Sequence, residues 1–182
     1  MAAFASTSAL WMRVALRWDD EHVGGYFSIG GSCQLFARLI FLPRVMQMGR
    51  GCETRSAQWC LGITAARFIA LASCFDGNWT HSILFLSTPG FCGTPLLTAL
   101  CLGSPRGKQG GWSVNLPALN SAASAVGALI GSLILARALA DPLPTHASVS
   151  APLLFAAAAH FLAGACVASG KQASEQVVEL DV

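Results

Sequence analysis

Residues 34–55 read QLFARLIFLPRVMQMGRGCETR, and this stretch decides the reading of the chain. An apolar run, LFARLIFL (35–42), carries one charge, Arg38, and then gives way to a basic cluster of Arg44, Arg50 and Arg55 punctuated by Gly49 and Gly51. That order is expected of a hydrophobic helix leaving a bilayer on the side where Lys and Arg accumulate. Arginines at that edge hold the chain against anionic headgroups, and the glycines let it turn tightly into the next segment.

Composition extends this reading to the whole chain. Of 182 residues, 54% are hydrophobic and 11% charged, where a soluble domain carries about 25% charge. Residues 82–105, 109–136 and 142–170 contain no Asp, Glu, Lys or Arg, and about 20 apolar or small residues suffice for a helix to cross a bilayer core of about 30 Å. The expected fold class is therefore all-α: a polytopic membrane helical bundle of about five transmembrane helices. The seven cysteines show no ligand spacing and read as small membrane-core residues.

Five spans are expected, at about 23–42, 57–75, 82–102, 116–136 and 149–169, separated by turn-rich MGRGCET, FDGNWTH, SPRGKQGG and ADPLPTH. Residues 1–22 form a poorly defined lead-in, 23–170 the bundle and 171–182 a tail. Short connections make neighbouring spans antiparallel. Arg44, Arg50, Arg55, Arg106, Lys108 and Lys171 then fall on one side, against Arg13, Arg17 and Arg137 on the other. The richer side, with the C-terminus, is predicted cytosolic. Asn78-Trp79-Thr80 matches the N-glycosylation acceptor pattern and falls in a predicted outer loop. The identity of the membrane, plasma or organelle, is left open.

Two segments carry a resemblance to a known family: GYFSIGGSCQLFARLIFLPRVMQMGRG (25–51) and NSAASAVGALIGSLILA (120–136). They resemble the eighth helix with its basic cytosolic loop, and the eleventh helix, of the major facilitator superfamily. The look is nearest to proton-coupled drug antiporters and fungal general-substrate transporters. APLLFAAAAHFLAGACVA (151–168) would be the twelfth helix. The resemblance implies a partial major facilitator fold, namely helices eight to twelve of a secondary transporter of a small solute. A second helical bundle, from a missing amino-terminal half or another subunit, would be the partner. The sequence departs from the pattern where no acid precedes Gly49-Arg50, where Gly51 replaces a second basic residue, and where Gly127-Ala128 stands for a glycine-proline step.

Charges inside apolar segments are the candidate transport residues, because a charge in hydrocarbon is costly enough to face a bundle interior, a wet cavity or the interface. Gly31, Gln34 and Arg38 share one helical face. Arg38 either lines a cavity or extends to the headgroups. Arg67, inside ITAARFIALASC (63–74), lies deeper, with no acid at comparable depth, so its counter-ion would come from another subunit, lipid or substrate. Asn120, Ser124, Gly127 and Gly131 form a small, lightly polar stripe. Gly127 and Gly131 suit close helix packing, and Asn120 and Ser124 are candidate cavity residues. Pro89, Gly90, Gly93 and Pro95 are expected to interrupt the third span. His81 and His160 read as structural.

No acid pair in a span, nucleophile elbow, metal spacing or Walker motif is present. An enzyme, a metal site, a cofactor and a nucleic-acid partner are accordingly not expected. The expected surroundings are the lipid bilayer and an unidentified small solute. The alternative is a non-transporting small membrane protein that packs against a partner bundle.

Overall fold

Asp19 caps the second helix of the chain. Its carboxylate accepts from the backbone N–H of His22 at 2.9 Å and lies 2.7 Å from the His22 ring Nδ1. Asp20 and Glu21 follow in the first turn, where the helix dipole favours negative charge. The computed structural model describes residues 2–47, 52–74, 77–102, 109–141 and 145–180, the side chains of 2–7, 52, 101–102, 109–121, 124 and 168–180 excepted. The described residues are helical, with no strand among them. The elements are α1 (Ala2–Ala15), α2 (Asp20–Phe36), a π turn (Ala37–Phe41), α3 (Leu42–Gln47), α4 (Cys52–Ala72), α5 (Asn78–Leu86), a 3-10 turn (Thr88–Cys92), α6 (Gly93–Leu102), α7 (Gln109–Leu139) and α8 (His146–Leu180).

Two interruptions have sequence causes. The π turn ends two residues before Pro43, which has no N–H to donate to the preceding turn and whose ring crowds it. The widened turn is closed by Leu42 N–H donating to Ala37 O, and the same carbonyl accepts from Cys92 Sγ at 3.3 Å. Pro89 and Pro95 frame the second interruption, where α5 and the segment after it are bent by 53°. Gly90 fills the bend: a Cβ there would lie 2.6 Å from Thr64 Oγ1 and 3.3 Å from Cys60 O and Thr64 N. Thr64 Oγ1 donates to Cys60 O at 2.9 Å and to Gly90 O at 3.2 Å, tying the bend to α4.

The central element is α4, packed against α8 on one side and against the 3-10 turn and α6 on the other. Its buried residues Ala57, Leu61, Ala65, Phe68 and Ala72 recur every three or four positions, one stripe of a helix. The larger core joins Phe68 and Leu71 of α4 to Trp11 and Met12 of α1, Val23 and Tyr26 of α2, Leu84 of α5, Leu135 of α7, and Val149 and Leu153 of α8.

Within the stretch 1–22, read from the sequence as a lead-in, Ala2–Ala15 form helix α1, packed into the core through Trp11 and Met12. Trp11 Nε1 donates to Ser150 Oγ at 3.2 Å, and His146 Nε2 bonds Cys74 O at 2.9 Å. Arg17, at φ 54°, turns the chain from α1 into α2, and Arg13 pairs with Asp20 across that turn. Helix α8 continues to Leu180, into the stretch expected to be the tail. All five sequence-expected spans coincide with helical segments. Among the described residues, however, only His146–Val167 is by itself long and apolar enough to cross a membrane, and the bent pair Asn78–Leu86 and Thr88–Leu100 qualifies jointly. Large apolar side chains nevertheless stand on the outside, among them Leu86 at 82% exposed, Trp59 at 69% and Leu162 at 68%.

Candidate functional site

Arg67 of α4 sits where five other elements converge. Its Cζ lies over the rings of Phe68 and Phe91, 4.8 Å from each centroid, an arrangement that attracts a cation to the ring faces. Its Nε is shut off from solvent and has no hydrogen-bond partner. Among the described residues the ion pairs are Arg13–Asp20 and His22–Asp19, so no carboxylate neutralises Arg67 there.

This guanidinium borders a half-open cavity of about 320 Å³, at the small end of the range of about 300–1,000 Å³ for ligand pockets. Each wall comes from a different helix. Ser8, Trp11 and Met12 come from α1, at the i, i+3, i+4 spacing of one face. Tyr26, Phe27, Gly30, Gly31 and Gln34 come from α2, Phe68 and Leu71 from α4, Leu84 from α5, Phe91 from the 3-10 turn and Leu153 from α8. Among the described residues the lining is mostly aromatic and aliphatic, contains no Asp or Glu, and holds one charge. Ser8 Oγ is a second buried polar atom without a partner.

Gln34 and Arg67, both expected at a cavity, line this one together. Arg38 does not: it lies on the π turn, exposed, and borders no part of the cavity. The widened turn begins at Ala37, so the 3.6-residue register that aligned Arg38 with Gly31 and Gln34 ends just before it. Arg44 is exposed on α3, and Asn78 is exposed at the first residue of α5. Gly49 and Arg50 lie outside the described residues, as do the side chains of Asn120 and Ser124.

The expected glycine face of α7 divides in two. Gly131 is buried in line with Leu135 and Ala138, whereas at Gly127 an added Cβ would meet nothing within 4 Å. His160 donates from Nδ1 to Ala156 O at 2.7 Å and its ring lies 5.3 Å from that of Phe68. His81 stacks on Trp18 at 5.7 Å and meets Tyr26 edge-on at 6.1 Å.

Sequence reasoning missed the wall contributed by α1 and the aromatic pair around Arg67. The signal for the first was present in the spacing of Ser8, Trp11 and Met12, and for the second in the adjacency of Arg67 and Phe68. Phe91 had no such signal, because only the bend at Gly90 carries it back to α4. A more open groove of about 830 Å³ lies between α2 and α5, lined by Ile29, Phe36, Phe41, Phe85, Leu86 and smaller residues, with no charged side chain among the described residues. Among the described residues no cluster of three or more His, Cys, Asp or Glu could hold a metal ion. No family model, characterised protein or solved structure matches the chain.

Proposed function

We propose that the chain is an integral membrane helical bundle whose Arg67 cavity receives a small solute, acting as one wall of a major-facilitator-type secondary transporter. The observation that carries this reading is a positively charged, otherwise mostly apolar cavity walled by helices in a chain that exposes large apolar side chains outward. Transporter sites sit between helices near the midplane, at interrupted segments, and here the bend at Pro89–Gly90 brings Phe91 to the cavity. One bundle supplies one wall, so a second bundle would complete the path. The spans would alternate, with the C-terminus and the arginine loop in the cytosol and Asn78 outside.

The test is retention in carbonate-washed membranes followed by labelling of a Gln34→Cys variant, in a background without the native cysteines, by a membrane-impermeant maleimide. Labelling from either face of sealed vesicles is the expected result. Extraction by carbonate overturns the membrane reading, and a thiol sealed from both faces overturns the carrier reading.

A second reading, a small membrane protein that packs against a partner bundle without transport, is favoured by the open space at Gly127 beside the exposed side chains of Val126, Leu129 and Leu133. Small residues let helices approach closely in lipid. A Gly127→Cys thiol that is protected in native membranes but reactive in dispersed protein supports that contact.

A further inference from the structure

We infer that the ligand of the Arg67 cavity is an organic monoanion, a carboxylate on a flat apolar body, bound through the guanidinium edge. This rests on the reading of the cavity as a solute site and adds the ligand's charge and shape. Three observations carry it. First, the cavity contains a guanidinium whose buried Nε has no acceptor, and a buried donor left unsatisfied costs about 1–3 kcal/mol. The rings of Phe68 and Phe91 steady the charge from their faces, but a ring face does not replace the oxygen acceptors that the in-plane N–H groups require.

Second, the lining offers no acid among the described residues to serve as an internal counter-ion, so the charge balance there calls for one negative charge from the ligand. A planar carboxylate matches the guanidinium fork with two parallel hydrogen bonds, and the unpartnered hydroxyl of Ser8 adds a further donor within the same cavity. Third, apart from Gln34 and Tyr26 the remaining lining is apolar, including Trp11, Phe27 and Leu153, which suits a ligand body with little polarity of its own. Trp11 is unavailable as a donor because its N–H is held by Ser150. The groove between α2 and α5 is larger but has no charged side chain, so it offers an anion nothing comparable.

The probe set is para-trifluoromethylbenzoate, its neutral amide and the corresponding benzylamine, followed by ligand-observed fluorine NMR. The full chain is held in phosphatidylcholine nanodiscs, with empty nanodiscs to subtract partition into lipid. The benzoate is expected to bind at least about tenfold more tightly than the amide, the benzylamine not at all, as charge-assisted hydrogen bonds require. Arg67→Gln should bring the benzoate down to the level of the amide, and Arg67→Lys should recover part of the difference by keeping the charge without the fork. The wild-type comparison of acid with amide needs no variant to fold.

Equal binding of acid and amide, or benzoate binding unchanged in Arg67→Gln, overturns the anion assignment while leaving a solute cavity in place. Displacement of the benzoate by added phosphatidylglycerol assigns the charge to a lipid headgroup and likewise overturns it. Failure of all three probes to bind overturns the anion assignment together with the cavity reading beneath it.

Discussion

Arg38 and Arg67 look alike in the sequence, each a lone cation in an apolar helical run, yet they occupy opposite kinds of place. Arg38 stands exposed on a widened turn that leads to Pro43. Arg67 is enclosed by Phe68, Phe91 and the cavity, with its Nε unpartnered. What separates them is packing: Arg38 is on the outer face of an element at the edge of the bundle, whereas Arg67 is on the central helix. A charge at an edge can extend to water or headgroups, and a charge at the centre must find its partner in the cavity. The comparison teaches that depth in an apolar run predicts little until the neighbours of the helix are known.

The largest expected effect comes from breaking the enclosure of Arg67 at Gly90. Gly90→Ala drives a Cβ against Thr64 and the carbonyl of Cys60, where backbone atoms cannot yield easily. A loss of about 1–3 kcal/mol is expected, seen as a lower midpoint of thermal unfolding, and benzoate binding should fall as Phe91 shifts. An unchanged midpoint would mean that the bend is not clamped to α4.

Next comes the contrast between the arginines themselves. Arg67→Met removes an unpartnered guanidinium and is expected to raise stability by ~1–2 kcal/mol while abolishing anion binding. Arg38→Met should stay within about 0.5 kcal/mol, as surface changes do. Equal shifts for the two variants in thermal unfolding would erase the distinction drawn between them.

A smaller effect should follow from loosening α1, which walls the Arg67 side only. Trp11→Phe removes the hydrogen bond to Ser150 Oγ and should cost about 1 kcal/mol. Ser150→Ala should cost a similar amount, and the double variant less than the sum of the two, since one bond joins them. Additive losses in the same unfolding assay would show that the pair does not act through that bond.

The smallest effect concerns the exposed cap of α2. Asp19 is held below its ordinary carboxylate pKa by the His22 backbone N–H and then by the His22 ring, and His22 is raised by the Asp19 carboxylate. The Asp19 contribution is present above the ordinary carboxylate value and is lost as pH falls through the lowered one. The His22 contribution is present below the ordinary imidazole value and is lost as pH rises through the raised one. The cap should therefore be strongest between the ordinary values of 3.8 and 6.5. NMR titration of His22 should show its pKa returning toward 6.5 in Asp19→Asn, and no change in that variant would deny the pairing.

The sequence by itself determined where five apolar helical stretches lie. Apolar runs of helix length, punctuated by Gly, Pro and Asn clusters, located every expected span on a helical segment, and Pro89 with Gly90 marked the interruption that the fold contains. These are local properties, set by backbone sterics and by the donors that proline lacks. It also singled out Gln34 and Arg67, because a polar group in an apolar run needs a reason that the run cannot supply. Tertiary structure alone decided the rest. Helix α1 is too short at 14 residues, about 21 Å, to have been read as a span, and only its packing shows that Ser8, Trp11 and Met12 wall a cavity. Gly127 and Gly131 are identical in sequence terms, but a neighbour covers one and not the other. The physical reason is the same throughout: propensity acts along the chain, whereas enclosure depends on residues far apart in sequence, such as Phe91 and Arg67, meeting across a bend.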